Sequence, residues 1–264
     1  MNILDKIVTQ KRKEVDEKKE LYPTRLLEKS TFYQSKTVSL SHYIKREDKS
    51  GIIAEFKRRS PSKPSINLYA NVEEVSVAYM QAGASALSVL TDYTFSGGKA
   101  EDLTTARLFN FCPILRKDFI VDEYQVIEAR SIGADAILLI SEILTKEEVR
   151  QLSGLAHSLG MEVLLELHSE AQLDKYTDTI DVIGVNNRNL DTFKTDVAFS
   201  KNLYDKLPQE VTKISESGIH DAQVLLDLKR IGYDGFLIGE RFMVHANPGE
   251  ACKSFIQEMN VLNV

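Results

Sequence analysis

Alternation of strand and helix patterns is the feature that most restricts how this chain can fold. From about residue 50 onward, eight short apolar runs are separated by stretches with apolar residues three and four positions apart, which is helical spacing. The candidate strands are GIIAEF, SALSVLT, CPILRKD, DAILLI, EVLLEL, DVIGVN, VTKISES and GFLIGE. Such alternation predicts a parallel sheet covered by helices. Eight strand–helix units in a chain of 264 residues match a (β/α)8 TIM barrel in number and length.

A faint internal repeat supports closure of the sheet. AGASALSVLTD, IGADAILLISE and IGYDGFLIGE each combine a helix-ending glycine, a short polar step and an apolar strand. The glycines Gly83, Gly133 and Gly232 are separated by about 50 and about 99 residues, which is one and two pairs of units. The alternative, an open doubly wound sheet, normally begins with a GxGxxG turn, and this sequence has none. We therefore predict the closed barrel.

Residues 1–48 precede the eight units. We predict that they form a helical extension packed on the barrel, within a single domain that spans residues 1–264. The segment KRKEVDEKKE carries both charge signs at helical spacing, which is typical of a solvated helix face rather than a nucleic-acid arm. The net charge of −6 also argues against a nucleic-acid partner. The apolar residues expected to dock the extension are Ile3, Leu4, Ile7 and Val8.

Several classes of protein and site are not expected. No apolar run reaches the roughly 18 residues of a membrane span, and the amino terminus lacks a signal-peptide core, which points to the cytoplasm. Cys112 and Cys252 are spaced neither for a metal site nor for a disulfide framework, so we expect reduced packing residues. His168 lies two positions after Glu166, but no third ligand is apparent and no metal is expected.

Polar side chains gather at the predicted carboxyl ends of the strands, where barrel enzymes place their chemistry. Strand alternation aims Glu55 and Lys57 at one side, and it puts Glu166 on the inward face of Leu164. One such residue is often only a solvated rim residue, but several converge here: Glu55, Lys57, Lys117, Glu166 and Asn186. Buried charges require partners or a function. We therefore predict a polar site in which ammonium and carboxylate groups shift each other's pKa values and so separate an acid from a base.

Glycines after the last two strands indicate a phosphate site. SESGI places Ser217 and Gly218 before a helix that begins near His220, and Gly239 follows strand eight. Barrels often bind phosphate with these two loops, because glycine lets backbone N–H groups approach an anion that a helix N-terminus also favours. Turns use glycine for other reasons. The phosphate site is therefore indicated by the presence of Gly218 and Gly239 after adjacent strands, not by either glycine alone. A bulky side chain at Gly239 is expected to exclude the phosphate.

Seven segments, in this order, resemble the successive motifs of the indole-3-glycerol phosphate synthase family: IIAEFKRRSPSK, VLTDYTFSGG, ILRKDFI, LLELHSE, IGVNNRNL, ISESGI and FLIGERFM. The resemblance runs from residue 51 to residue 245, and the preceding residues resemble the helical extension of that family. It implies a lyase of tryptophan biosynthesis that converts 1-(2-carboxyphenylamino)-1-deoxyribulose 5-phosphate into indole-3-glycerol phosphate. Carbon dioxide and water are lost, and neither a cofactor nor a metal takes part.

The resemblance also implies a catalytic role for each strand-end residue. Lys117 matches the general acid that makes the substrate carbonyl electrophilic, and Glu166 matches the carboxylate that transfers protons during dehydration. Glu55 matches a carboxylate that orients the catalytic groups and the amine, and Lys57 bridges the carboxylate and phosphate of the substrate. Asn186 matches a residue that hydrogen-bonds the substrate.

Substrate-binding roles follow from the same resemblance. Arg188 is placed to hold the anthranilate carboxylate. The phosphate is expected at Ser60, Ser217, Gly218, Gly239 and Glu240, the last through its backbone N–H. Apolar side chains expected to face the aromatic ring are Phe119, Leu138 and Leu190. Two departures from the family pattern concern turnover speed rather than reaction type: Pro64 replaces the glycine of SPSKG, and GERFM places Arg241 or Phe242 where a smaller residue is common.

Two other functions compete with this one. A phosphoribosylanthranilate isomerase can share the phosphate grip but relies on a different acid–base pair, so the strand-end set argues against it. An inert barrel that only binds a sugar phosphate or a partner enzyme has no reason to keep acid and base groups. The expected partner is therefore a small sugar-phosphate substrate, with no nucleic acid or membrane, and the expected assembly is a monomer or a weak homodimer. Because the chain ends soon after the eighth unit, no fused isomerase domain is expected.

Overall fold

A closed barrel of eight parallel strands forms the centre of the molecule in a computed structural model that describes residues 3–190 and 192–263. The strands are β1 (Ile52–Phe56), β2 (Ala86–Leu90), β3 (Ile114–Lys117), β4 (Ala136–Ile140), β5 (Glu162–Leu167), β6 (Val182–Asn186), β7 (Thr212–Glu216) and β8 (Gly235–Ile238). They pair in chain order, and β1 pairs with β8 to close the ring. The prediction of a (β/α)8 barrel is confirmed. Residues 1, 2, 191 and 264 of the predicted single domain lie outside the described residues, and that domain assignment stays a prediction.

Helices precede the barrel and cover its outer surface. They are α1 (Ile3–Leu21), α2 (Thr24–Leu27), α3 (Leu40–Ile44), α4 (Val72–Ala82), α5 (Ala100–Phe109), α6 (Glu123–Ile132), α7 (Lys146–Ser158), α8 (Ala198–Leu203), α9 (Ala222–Ile231), α10 (Glu240–Met243) and α11 (Pro248–Leu262). Strands and helices alternate around the ring as predicted, with local variations. A 3₁₀ helix (Glu170–Lys175) follows β5, and two helices, α10 and α11, follow β8. None of the described helices is long and apolar enough to cross a membrane.

Inward-facing side chains of the strands form an apolar floor. This interior cluster consists of Ile53, Ala86, Leu115, Ala136, Leu138, Ile140, Leu164, Val182, Ile214 and Leu237, together with Leu40 and Ile44 of α3. Ile44 packs beside the start of β8, where a Cβ on Gly235 would come within 2.6 Å of its Cγ2. Side chains two positions apart on a strand point the same way. Two residues after Leu164 and Ile214, the inward-facing side chains are those of Glu166 and Glu216. The charged groups therefore lie directly above an apolar core. This low-dielectric neighbour strengthens the interactions between them.

Charge as well as apolar packing fixes α1 to the barrel. Leu4 and Ile7 are buried as expected, but Lys11, predicted to lie on a solvated face, is only 5% exposed. Its Nζ lies 2.7 Å from Asp92 Oδ1 and 3.2 Å from Asp118 Oδ1. Burial alone would lower the pKa of Lys11, but these two carboxylates raise it. The ammonium is buried because α1 crosses two carboxylates that extend from the ends of β2 and β3.

The unusual residue in GERFM is absorbed by packing outside the barrel. Phe242 of α10 is fully buried. Its ring lies 5.8 Å from that of Tyr79 and 5.6 Å from that of Phe255, measured between centroids. Phe242 therefore fills space between α4 and α11, whereas Arg241 lies at the mouth of the barrel.

Candidate active site

A cavity of about 410 Å³ opens at the carboxyl ends of the strands. Its wall contains all of the site residues that the sequence analysis predicted: Glu55, Lys57, Ser60, Lys117, Phe119, Leu138, Glu166, Asn186, Arg188, Leu190, Ser217, Gly218, Gly239 and Glu240. These residues come from seven of the eight strands or the loops after them, all except β2. Closure of the barrel brings them together, since they are far apart in the sequence.

Lys117 stands at the centre of the polar layer, between two carboxylates. Its Nζ lies 2.8 Å from Glu166 Oε2 and 2.7 Å from Glu216 Oε2. Both carboxylates are nearly inaccessible to solvent. Burial by itself would lower the pKa of Lys117, but the charges of Glu166, Glu216 and Glu55 raise it. Lys117 is therefore an ammonium that points into the cavity with protons to donate.

The two carboxylates around Lys117 have opposite tendencies to hold a proton. Burial raises the pKa of Glu216 to about 8; Lys117 opposes this rise and the charge of Glu166 adds to it. Burial acts on Glu166 too, but Lys117 and His168 outweigh it and lower its pKa to about 2. Two like charges this close to one ammonium do not both ionise readily. Of the two, Glu216 therefore holds a proton more readily, and Glu166 is the more readily ionised.

Sequence reasoning missed Glu216, although the signal for it was present. In VTKISESG, the sequence analysis assigns a role only to Ser217 and Gly218, which lie just beyond β7. Alternation from the inward Ile214 places Glu216 inward as well, as Leu164 does for Glu166. The neighbouring strand makes room for it: a Cβ on Gly184 of β6 would lie 2.1 Å from Glu216 Oε1. IGVN thus carries a glycine where the carboxylate of the next strand needs space.

Glu55 and Lys57 form a second ion pair on β1 and the residue that follows it. The Lys57 Nζ lies 2.7 Å from Glu55 Oε1, as the shared direction of the two side chains predicts. Gly239 packs directly on this pair, because a Cβ there would meet Glu55 Oε1 at 2.5 Å. A side chain at this position would displace the Glu55 carboxylate, and its expected exclusion of a phosphate stays a prediction.

Cations and one carboxylate gather at the rim of the cavity. Arg188 donates from Nη1 to Ser62 Oγ over 3.3 Å, and its Nη2 lies 3.5 Å from Glu240 Oε2. The Lys63 Nζ lies 3.2 Å from the other oxygen of Glu240. Asn186 supports Arg188 by accepting the backbone N–H of Arg188 at Oδ1 over 3.0 Å. These contacts join the loops after β1, β6 and β8 over the mouth of the barrel.

The loop after β7 has the strained backbone expected of a ligand-binding turn. Ser217 and Gly218 both have positive φ, 65° and 74°, and a non-glycine residue rarely adopts this conformation without a local reason. Asn187 holds the turn, since its Nδ2 donates to the carbonyl oxygens of Glu216 and Ser217, each over 3.0 Å. On the other side of the cavity, Ser60 and Lys63 exchange two backbone hydrogen bonds that close the SPSK turn.

Apolar side chains complete the wall. Phe119, Leu138 and Leu190 line the cavity, as expected for a site that receives an aromatic ring. Contributions that sequence reasoning did not assign to the site come from α1 and from the loop after β6: Ile3, Leu4, Ile7 and Phe193. Helix α1 thus forms part of the wall besides packing on the barrel. Among the described residues, no group of three or more His, Cys, Asp or Glu side chains is arranged to hold a metal ion.

A family model and the three relatives named here share one description. A family model described as indole-3-glycerol phosphate synthase matches residues 4–255. The indole-3-glycerol phosphate synthase of Bacteroides thetaiotaomicron is 48% identical over 256 residues, which are 97% of this chain and 98% of that protein. That of Bacillus cereus (strain ATCC 14579) is 41% identical over 261 residues, 98% of each chain. That of Salinibacter ruber is 39% identical over 254 residues, covering 95% and 94%.

Solved structures of more distant proteins share the barrel. The 3-hexulose-6-phosphate synthase of Salmonella typhimurium superposes with a TM-score of 0.62 at 10% identity, covering 80% of this chain and 98% of that one. The thiamine phosphate pyrophosphorylase of Pyrococcus furiosus superposes with a TM-score of 0.61 at 13% identity, covering 85% and 99%. At such identities the likeness shows the fold alone.

Proposed function

The chain belongs to the indole-3-glycerol phosphate synthase family, and we propose that its cavity carries out the ring closure for which that family is named. The substrate, 1-(2-carboxyphenylamino)-1-deoxyribulose 5-phosphate, is a small sugar phosphate that also carries a carboxylate and an aromatic ring. Its conversion to indole-3-glycerol phosphate in tryptophan biosynthesis releases carbon dioxide and water. The protein is thus a decarboxylating lyase, an indole-3-glycerol-phosphate synthase.

The cavity offers separate places for the three parts of this substrate. The phosphate binds near the backbone N–H groups of Ser217, Gly218, Gly239 and Glu240, with Ser60 opposite. The carboxylate binds to Arg188 and Lys57, and Asn186 hydrogen-bonds the substrate beside them. The aromatic ring lies against Phe119, Leu138 and Leu190. The support for this placement is that all of these residues line one cavity, with cations at its rim and apolar side chains on its wall.

Ring closure begins at the carbonyl carbon of the ribulose chain. The ammonium of Lys117 donates a hydrogen bond to the carbonyl oxygen, which makes the carbon electrophilic for attack by the ring carbon that bears the carboxylate. As the new C–C bond forms, negative charge develops on the oxygen, and Lys117 transfers a proton to it. Loss of carbon dioxide returns its bonding electrons to the ring and restores aromaticity. Glu55 holds Lys57 and orients the amine.

Dehydration requires a second donated proton and one acceptor. The carboxylic acid of Glu216 lies 2.7 Å from the Lys117 Nζ, so it can return a proton to Lys117 after the first transfer. Lys117 then protonates the hydroxyl, which leaves as water. Glu166 accepts the proton from the carbon next to nitrogen, and the indole double bond forms. Groups with pKa values pushed apart by their surroundings are suited to such a division into acid and base.

The observation that carries this proposal is the arrangement of Lys117 between Glu166 and Glu216 inside a cavity with an apolar wall. Incubation of the purified protein with the substrate, followed by the absorbance of indole-3-glycerol phosphate, tests the reaction. Product formation without added cofactor or metal is expected. An isomerase or an inert barrel would yield no indole absorbance.

The phosphate grip has its own test. A crystal soaked in phosphate or sulfate is expected to hold the anion between the loops after β7 and β8, near Gly218 and Gly239. An anion bound only elsewhere would remove the support for this part of the substrate placement, whereas the ring-closure assay would be unaffected.

The catalytic unit is proposed to be a monomer or a weak homodimer that works in the cytoplasm. Its support is that a single chain supplies all the groups described above, and that both cysteines, Cys112 and Cys252, are buried and unpaired, as in a reducing compartment. Light scattering across a range of protein concentrations tests the assembly. A stable higher oligomer at low concentration would contradict it.

A further inference from the structure

His168 lies against the carboxylate that we assign as the base. It follows β5 directly, and its side chain is only 7% exposed. Its Nε2 lies 3.2 Å from Glu166 Oε1, on the oxygen that Lys117 does not contact. The imidazole is not part of the cavity wall, so it can act on the substrate only through Glu166.

The imidazole is neutral in this position. Burial lowers the pKa of His168; Lys117 lowers it further, and the charges of Glu166 and Glu142 only partly oppose these effects. A neutral imidazole carries one N–H donor and one acceptor nitrogen. The contact with Glu166 is therefore a hydrogen-bond donor facing a carboxylate rather than an ion pair.

Neither ring nitrogen of His168 makes a well-aligned hydrogen bond within the described part of the chain. Because buried polar atoms normally have a partner, we looked for a hydrogen-bond acceptor close to the ring nitrogens. Glu142 is already engaged, because its Oε2 accepts from Gln172 Nε2. Glu166 Oε1 is then the acceptor that Nε2 can use, and such bonds in ligand-free sites are often poorly aligned until the substrate binds.

The backbone on both sides of His168 is fixed. The His168 N–H donates to Gln172 Oε1 over 2.7 Å, and the carbonyl oxygen of Glu166 accepts the N–H of Ser141 over 3.0 Å. The chain therefore presents the ring to Glu166 from a rigid support. This rigidity is what a positioning contact needs, since small displacements of a catalytic group strongly reduce the rate.

We propose that His168 is a positioning residue for Glu166: its neutral imidazole donates the Nε2 proton to Oε1, and Oε2, the oxygen that Lys117 contacts, keeps its second lone pair for proton transfer with the substrate. The inference rests on the proposed role of Glu166 in ring closure. It goes beyond that role because it assigns the two carboxylate oxygens to different tasks.

Two amide variants with matched chemistry test the proposal. In His168→Gln the amide nitrogen reaches about as far as Nε2, whereas in His168→Asn it falls short. The glutamine variant is expected to keep kcat within about threefold of the wild type, and the asparagine variant to lose about 10- to 100-fold in kcat with little change in KM. Equal activity of the two variants, whether both impaired or both normal, would overturn the proposal.

A measurement on the unaltered protein provides a second test that does not depend on the activity of the variants. In ¹⁵N-labelled protein at neutral pH, His168 is expected to be the tautomer with the proton on Nε2, its signals identified by their loss in either variant. A proton on Nδ1 alone, or on both nitrogens, would overturn the proposal. This result is independent of turnover. If the wild type formed no indole product, the assigned reaction would fail while the tautomer could still be read.

Discussion

Replacing Gly184 by alanine tests whether the position of Glu216 controls turnover. Gly184 faces into the barrel from β6, where it pairs with Ile214 of β7, and Glu216 lies two residues further along β7. A Cβ at this site would lie 2.1 Å from Glu216 Oε1 and 3.1 Å from Leu164 Cδ2. The carboxylate would have to move by roughly 1 Å or more to restore van der Waals separation. Such a movement removes Glu216 from its 2.7 Å contact with the Lys117 Nζ.

The expected loss can be estimated from this displacement. A misplacement of about 1 Å in a catalytic constellation lowers the rate by about 10²-fold, equivalent to ~2.7 kcal/mol in barrier height. Overpacking of a core position typically reduces stability by only about 1–3 kcal/mol, which most domains tolerate. We therefore expect Gly184→Ala to fold, to bind the substrate, and to turn over about 100-fold more slowly.

Gly154→Ala is the matched control. Gly154 lies on the exposed surface of α7, and an added Cβ would meet nothing within 4 Å. The same chemical change there should leave kcat unaltered and raise the free energy of unfolding by about 0.5–1 kcal/mol, because alanine favours the helix. Steady-state indole absorbance and urea unfolding measure both quantities. A folded Gly184→Ala protein with kcat within about threefold of the wild type would show that the position of Glu216 is unimportant.

Three further predictions concern Lys117, Glu216 and Lys11. Lys117→Ala should lower kcat by at least about 10²-fold while a product-like ligand still binds, and a fall of less than tenfold in the same absorbance assay would contradict its role as the acid. Because the pKa of Glu216 is raised to about 8, its proton reserve is present below that pH and lost above it. The pH profile of kcat/KM should therefore decline above about pH 8. A Glu216→Gln variant should be slower and should lack this decline. The same decline in the variant would show that another group causes it. Lys11→Met leaves Asp92 and Asp118 buried without their ammonium and should reduce the free energy of unfolding by about 3–5 kcal/mol. In denaturant unfolding, an equal loss in Lys13→Met, an exposed lysine of the same helix, would contradict this reason.

The sequence was most informative where one strand could be read by itself. Alternation in AEFK and LLEL correctly aimed Glu55, Lys57 and Glu166 inward, because each direction depends only on neighbours two positions away. Glu216 was available to the same reasoning but was overlooked beside the serine and glycine that follow it. The direction of a strand side chain is thus a local property, and the sequence alone was sufficient to predict that Glu216 faces the cavity.

Features that depend on contacts between distant segments could not be read in this way. The burial of Lys11 requires α1 to cross the ends of β2 and β3, and a run of mixed charge gives no sign of that crossing. The close packing of Gly239 on the Glu55 carboxylate depends on β1 and β8 meeting where the barrel closes, which neither segment shows by itself. The short helices after β5 and β6 also escaped the helical pattern, because each spans only six residues.

Glu166→Gln provides the decisive test of whether the Lys117 cluster performs chemistry. The amide keeps the size of the side chain but can neither carry the charge nor accept the proton. Lys117 would retain Glu216 as a partner at 2.7 Å, so little stability should be lost. If Glu166 is the base, turnover of the variant should fall by roughly 10²–10⁴-fold with a melting temperature close to that of the wild type. Full turnover with a lowered melting temperature, measured on the same preparation, would instead mean that Glu166 only supports Lys117 and that the base lies elsewhere.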